Sequence, residues 1–200
     1  TIGNHADGSD PLNGHIANVS IIGEALSSNQ VSDLDSGYLG VSDFDLIAHW
    51  PIDEGNGTDI ADGGVNGADG TLSGGTWESD VCLPDTLHAV AEDTISCSSI
   101  SFDGVSDYLE APDYPVLDDG SSSAIELWFK PASSLSSAVP IWAESWYIGL
   151  CDGGSDYVLE AEVDICDDIR IGEWNHLVAS YDASTGEKSV FLNGAEAEVL

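Results

Sequence analysis

The chain has 200 residues and carries 37 acidic side chains against three basic ones, for a net charge of −34, while 42% of its residues are hydrophobic. This length and hydrophobic content allow one β domain with a real core, or one domain and a piece of another, and argue against disorder. The charge excludes nucleic acid and anionic membranes as partners. It attracts cations and tolerates high salt, so it fits a halophilic or marine extracellular setting, although acidity can also serve solubility alone.

No stretch is long enough to be inserted into a membrane as a spanning helix, and there is no signal peptide and no methionine. The chain is therefore expected to start by processing, or to be an excerpt of a longer protein.

The first third of the chain predicts one strand and a connection. Residues 14–22 form the strand, and alternation gives it an apolar face made of Ala17, Val19 and Ile21. A short turn or single helical turn follows at 24–31, where a serine can act as the cap. Residues 32–45 are acidic and contain Gly and Ser, so they are interpreted as a linker.

The rest of the chain predicts short strands separated by turn signals. They are expected at 46–52, in a hairpin at 100–110, at 124–130, in a pair at 141–150 and 157–165, and in a hairpin at 174–181 and 189–192. Asn193-Gly194 adds a further tight turn, since Asn-Gly is the strongest short hairpin signal. Almost no segment has helical periodicity, so the pattern indicates an all-β sandwich or jelly roll.

Several of these segments resemble the laminin-G-like domains of the concanavalin A-like lectin/glucanase class, and they occur in the family's order. The motifs are LIAHWPIDEGNG at 46–57, the loop at 64–72, ISFDGVSDYLE at 100–110, IELWFKP at 125–131 and GEWNHLVASYD at 172–182. The resemblance implies a two-sheet antiparallel jelly-roll sandwich. It also implies a non-enzymatic protein.

Residues 14–27 resemble the closing strand of the same family, which would normally follow the Asn-Gly hairpin. Accordingly, residues 1–31 are interpreted as a closing strand, 32–45 as an acidic linker and 46–200 as a domain body that lacks its own last strand. The body alone would leave an unpaired slot, because the family's first and last strands are neighbours in one sheet. The strand can fold back within the chain, complete a neighbouring molecule head to tail, or belong to a tandem array. The strand residues that would mediate self-association are His15, Ile16, Ala17, Val19 and Ile21.

Four cysteines allow three pairings, and none of them lies in a Cys-x-x-Cys motif, which argues against zinc and thioredoxin-type chemistry. Two local disulfides, Cys82–Cys97 and Cys151–Cys166, are preferred, each across 15 residues. They imply an oxidising compartment, outside the cell or on its surface.

The long loop after the strand at 46–52 is crowded with carboxylates. Family members often hold a structural Ca²⁺ with loop carboxylates and carbonyls, so the resemblance implies calcium ligands here, with a solvated acidic loop as the alternative. The candidate ligands are Asp53, Glu54, Asp59, Asp62 and Asp69.

Other candidate sites are weaker. Asn18 and Asn56 lie in N-glycosylation patterns. Trp142 and Trp146 are candidates for stacking on a sugar, with core packing as the alternative. Residues 162–167 resemble the glucanase catalytic motif, but its last carboxylate is an Asp and the adjacent Cys166 is expected in a disulfide, so no catalytic residue is predicted.

The sequence therefore predicts an extracellular structural or adhesive glycoprotein that associates with copies of itself in a fibre or tandem array. The alternative is a carbohydrate-binding module of a secreted or cell-surface protein.

Overall fold

The computed structural model describes residues 1–5, 7–36, 40, 43–79, 98–112, 120–132, 135, 138–142, 147–152, 155–158, 161–163 and 165–197. Nearly all of the regular structure in these residues is antiparallel β-sheet, arranged in two layers. The all-β fold expected from the strand pattern is confirmed.

The first layer is an eight-stranded sheet with β1 (Asn13–Ile22) and β8 (Ser123–Pro131) at its centre. β1 pairs along its length with β8. On its other side it pairs first with β6 and then with β2. The remaining strands of this layer have the following bounds: β2, Leu46–Trp50; β5, Thr76–Glu78; β6, Ser99–Asp103; β13, Asn175–Asp182; β14, Glu187–Leu192; β15, Ala195–Glu196.

The second layer contains two groups of strands that Ile2 joins, because Ile2 forms isolated bridges with Leu109 of one group and Ile141 of the other. Three strands form the first group: β3 (Asp59–Ile60), β4 (Gly70–Ser73) and β7 (Tyr108–Glu110). Four form the second: β9 (Ala138–Trp142), β10 (Tyr147–Asp152), β11 (Ser155–Val158) and β12 (Ala161–Val163). The main core lies between the layers and includes Ile125, Leu127 and Phe129, which alternate along β8 on its inner face.

The one α-helix in the described part of the chain, α1 (Ser28–Asp35), packs on the opposite, outer face of the first layer. Its N-cap is Ser27, which forms a capping box with Gln30, so the predicted serine cap is confirmed. Val31 and Leu34 are buried against Ile22, Ala124, Val178 and Phe191 of the sheet. The helix extends to Asp35, into the segment that the sequence predicted as linker. Within the described residues, no helix is sufficiently long and apolar to cross a membrane.

The face assignment of β1 differs from the sequence prediction. The register between β1 and β8 shifts between Ile16 and Asn18, which is a β-bulge at Ala17. The extra residue puts Ile16 into the main core with Val19 and Ile21, and it puts Ala17 on the outer face against Trp128. Strict alternation predicted the reverse for Ile16 and Ala17, because a one-residue slip exchanges the two faces of a strand.

The predicted hairpin at 100–110 was also wrong. β6 pairs with β1 and β5 in the first layer, whereas β7 pairs with β4 in the second. Both edges of β6 are thus occupied, so the chain must leave the sheet after Asp103. The turn is held by Asp103 Oδ1, which accepts hydrogen bonds from the backbone N–H groups of Val105 and Ser106 at 2.8 and 3.2 Å.

Candidate functional site

Hydrogen-bonding and charged side chains line up across the outer face of the first layer. We call this set the polar row; its members are His49 on β2, Asn18 on β1, Glu126 on β8, His176 on β13 and Asp35 on α1. The four sheet residues are at most 6% exposed, and Glu126 and His176 are fully buried. They come together because β2, β1, β8 and β13 are neighbouring strands, and because Asn18 lies on the opposite face of β1 from core-facing Val19.

The contacts in the polar row are continuous. Asn18 Nδ2 donates to Glu126 Oε2 at 2.7 Å, and Asn18 Oδ1 lies 2.8 Å from His49 Nε2. His176 Nε2 lies 3.2 Å from Glu126 Oε1, and His176 Nδ1 lies 3.3 Å from Asp35 Oδ1; these two are charge contacts by distance and do not have hydrogen-bond geometry. Since the Asn18 amide nitrogen faces Glu126, its oxygen accepts the Nε2–H of His49. This orientation keeps His49 in the neutral form protonated at Nε2.

The two histidines differ in charge. Burial lowers the pKa of His49 below 6.5, and the more distant carboxylates of Glu126, Asp62 and Asp53 offset this only in part. Burial alone would also lower the pKa of His176, but contacts with Asp35 and Glu126 outweigh it and raise that pKa above 6.5. Burial therefore favours the neutral form of His49, whereas the two carboxylates favour the protonated form of His176.

Aromatic rings extend the polar row on one side. Trp128 stacks on His176 with ring centroids 4.6 Å apart and planes 16° from parallel, a geometry that favours the protonated imidazole. Ala17 and Trp174 pack against Trp128, and His15 meets Trp174 edge to face at 6.4 Å. The indole Nε1 of Trp128 is buried without a hydrogen-bond partner.

The polar row supports an electrostatic rather than a catalytic role. Asp35 is its most exposed member, with 30% of its side chain accessible, and α1 and the strands enclose the others. Glu126 and His176 offer no exposed side-chain surface to a substrate in this arrangement. The sequence analysis did not identify Glu126 or His176 as part of a site. The available signal was Glu126 itself, because a Glu within the apolar run of residues 124–129 indicates a buried charge.

The predicted calcium ligands have other partners. Asp62 Oδ1 accepts from the backbone N–H groups of His49 and Gly64 at 2.8 and 2.7 Å, and Oδ2 accepts from Ala68 at 2.8 Å. Glu54 Oε1 accepts from the N–H of Ala61 at 2.7 Å. In the part of the chain that the structure describes, no group of three or more His, Cys, Asp or Glu is arranged to hold a metal ion.

The other three predicted ligands are Asp69, Asp53 and Asp59. Asp69 Oδ1 accepts from the N–H of Asp62 at 3.0 Å, and Asp53 and Asp59 are exposed. The five residues are therefore not gathered into a Ca²⁺ site in this arrangement: backbone N–H groups donate to Asp62, Glu54 and Asp69 and fold the loop on itself.

One predicted disulfide is confirmed. Cys151 at the end of β10 is bonded to Cys166, with Cα atoms 5.3 Å apart, and this ties the second layer to the segment that leads into β13. Cys82 and Cys97 lie outside the described residues.

The two N-glycosylation patterns occupy different environments. Asn18 is 6% exposed and its amide is bonded to Glu126 and His49, so the folded chain offers no access for a glycan at this position. Asn56 lies in an exposed loop, where its Nδ2 donates to the carbonyl of Glu54 at 3.2 Å, and its glycosylation stays a prediction.

The predicted ligand-binding tryptophans are not brought into a described site. Trp142 ends β9, and the position of its side chain is not described; Trp146 lies outside the described residues. Of the predicted self-association residues, Ile16, Ala17, Val19 and Ile21 are buried, and His15 is half-buried beside Trp174. All five lie on β1, which pairs within its own chain in this structure.

Two antiparallel sheets packed face to face over one core define the chain as an all-β sandwich. Residues 103–199, from just before β7 to just beyond β15, match a laminin G family model described as the concanavalin A-like lectin/glucanases superfamily. The family resemblance is thereby confirmed for this stretch. A domain of this kind suggests extracellular adhesion or carbohydrate binding. No curated protein and no solved structure matches the chain.

Proposed function

We propose that this chain is a non-enzymatic extracellular module of structural or adhesive function, and that its copies associate head to tail by exchanging β1. One observation carries the proposal: β1 lies at the centre of the first layer between β8, β6 and β2, yet only residues 23–45 connect it to the body that follows. A second copy of the chain offers the same slot to the same strand.

The contacts of an exchanged strand would be those of the folded chain, so exchange costs little in contact energy. Ile16, Val19 and Ile21 would fill the core of a neighbour, and the bulge at Ala17 would place Asn18 beside the neighbour's Glu126. Docking of β1 within its own chain competes with this exchange, because the connection keeps β1 at an effective concentration on the order of millimolar near its slot. Exchange is therefore favoured where chains are crowded, as in a fibre or on a cell surface.

Engineered cysteines test the exchange directly. His15 and Lys130 are cross-strand partners of β1 and β8, and both are half-buried, so substitutions there disturb the core little. We expect an oxidised, concentrated mixture of the His15→Cys and Lys130→Cys variants to give a disulfide-linked dimer on a non-reducing gel. The double variant, which can close within one chain, is the positive control for geometry. A mixture that stays monomeric after unfolding and refolding together would contradict strand exchange.

Carbohydrate binding is the second candidate function, and the match of residues 103–199 to a superfamily that includes lectins favours it. Trp142 and Trp146 are the proposed stacking residues. We expect binding on a glycan array that is lost in Trp142→Ala or Trp146→Ala and retained in Trp174→Ala, because Trp174 packs on the other layer. Equal loss in all three variants would point to unfolding and not to a sugar site.

The extracellular location rests on the confirmed Cys151–Cys166 bond, which needs an oxidising compartment to persist. A cation role of the acidic surface is tested separately by calorimetric titration with CaCl₂ against MgCl₂ at equal ionic strength. Saturable heat with Ca²⁺ alone would support a calcium site, and identical weak heats would reject it.

A further inference from the structure

Asp35 occupies a position in α1 that helix physics disfavours. It is the last residue of the helix, where the backbone carbonyls carry partial negative charge, and the last turn has no basic residue to balance it. Its carboxylate instead lies 3.3 Å from His176 Nδ1. The end of the helix is thus attached to the sheet through one imidazole ring.

The other nitrogen of the same ring faces a second carboxylate. His176 Nε2 is 3.2 Å from Glu126 Oε1, and both side chains have no exposed surface. A buried carboxylate is costly unless it is matched by an opposite charge or by hydrogen bonds. Asn18 satisfies one oxygen of Glu126, which leaves the other to His176.

We propose that Asp35, His176 and Glu126 form a pH-dependent clamp that holds α1 on the outer face of the first layer while His176 is protonated and loosens it when the proton leaves. The inference concerns the connection after β1 and does not rest on strand exchange.

The surroundings of His176 contain few other charges. Asp35 approaches from α1 and Glu126 from β8, while Trp128 stacks on the ring. From β1 comes the neutral Asn18, with His49 of β2 beyond it. The turn after β14 contributes neutral groups, since Asn193 Oδ1 accepts from the backbone N–H of His176 at 3.1 Å.

The turn after β14 also encloses Asp35. A Cβ atom at Gly194 would lie 3.0 Å from Asp35 Oδ2, so the glycine leaves the space that the carboxylate needs. The described groups that can change charge near His176 are therefore Asp35, Glu126 and the two histidines of the polar row, and Glu196 of β15 lies at the other end of α1, where it accepts from Ser28 Oγ at 3.4 Å.

The sign of the pH effect follows from the raised pKa of His176. The stabilisation is fully present below pH 6.5, the value for an unfolded histidine, and it is lost as the pH rises through the folded-state pKa. Without the proton, the cation between Asp35 and Glu126 is lost. Val31 and Leu34 then remain as the main contacts that hold α1 to the sheet.

The test uses the full chain with Asp35→Asn, and with Asp33→Asn as the matched control on the same helix. The His176 ring is titrated by NMR, and amide exchange protection factors of Val31 and Leu34 are compared with those of Leu127 and Leu177 between pH 6 and 9. We expect His176 to titrate above pH 6.5. As the pH rises, the protection factors of Val31 and Leu34 should fall while those of Leu127 and Leu177 do not. The fall should be roughly tenfold for each unit by which the pKa of His176 exceeds 6.5.

In Asp35→Asn we expect a lower His176 pKa, and α1 protection at pH 6 that already matches the wild type at pH 9. Asp33→Asn should behave as the wild type does. Titration of His176 at or below pH 6.5, or equal α1 protection in the two variants, would overturn the clamp. Because these readouts come from the monomer, a failed cysteine-exchange experiment would leave them unaffected.

Discussion

Asn18 and Glu126 meet at 2.7 Å across the centre of the first layer, although 108 residues separate them in the sequence. The amide donates a hydrogen bond to a carboxylate that has no exposed surface, and this bond stabilises a charge whose burial is otherwise costly. The oxygen of the same amide lies 2.8 Å from His49 Nε2. One side chain of β1 thereby links β8 and β2.

Replacing Asn18 with Ala should destabilise the chain strongly. Glu126 Oε2 would lose its donor in a site that water does not reach, and we expect the free energy of unfolding to fall by about 1–3 kcal/mol or more. Urea unfolding followed by fluorescence measures it. Ser20→Ala is the matched control, because Ser20 lies on the same face, is fully buried and has a hydroxyl without a partner. A similar loss in both variants would show that packing and not the hydrogen bond is responsible.

His49→Gln should change the pH dependence of stability in the direction opposite to that expected for His176. The pKa of His49 is lowered by burial, so its contribution to stability is present above pH 6.5 and is lost as the pH falls toward the folded-state pKa. Urea unfolding at pH 7 and pH 5 gives the difference between wild type and variant. We expect the free energy of unfolding of the wild type to exceed that of His49→Gln by less at pH 5 than at pH 7. A difference that grows on acidification would show that His49 is protonated in the folded chain.

Gly14→Ala should weaken the docking of β1 on β8. A Cβ atom at Gly14 would lie 2.9 Å from Pro131 Cα, so a backbone would have to move. Overpacking of this kind costs about 1–3 kcal/mol, and urea unfolding measures it. Gly8→Ala is the control: Gly8 has a φ of +78° and nothing within 4 Å, so its cost is conformational only. The prediction fails if Gly14→Ala is as stable as the wild type.

Removing the Cys151–Cys166 bond should lower the free energy of unfolding. The bond closes a loop across a sequence separation of 15, for which the chain-entropy model gives about 3 kcal/mol. The double variant Cys151→Ala/Cys166→Ala is compared with the wild type by thermal unfolding without reductant. An unchanged midpoint would mean that the second layer is held without the crosslink.

Alternation of apolar residues and turn residue types were enough to predict the hairpin of β13 and β14 and the strand β8. The hairpin of β13 and β14 follows from alternation and from a turn in which Gly186 has a φ of +75°, and Asn193-Gly194 forms the next turn as its residue types require. The inward face of β8 follows from Ile125, Leu127 and Phe129 in the same way.

Features that depend on distant partners were missed. Nothing within residues 14–22 indicates the bulge at Ala17, because it is defined by the register against β8. The sequence at 100–110 has hairpin turn chemistry, but β1 and β5 occupy both edges of β6. The polar row requires four strands and a helix to be in place, so no single motif could reveal it.

The sequence position of β1 also has a consequence for synthesis on the ribosome. Its core-facing residues are made about a hundred residues before β8, with 108 residues between Asn18 and Glu126. At about 5–20 residues per second, the nascent strand waits at least several seconds for its partner. During that time Ile16, Val19 and Ile21 have no core to enter. A chaperone that shields apolar segments therefore has a defined target in this interval, namely β1.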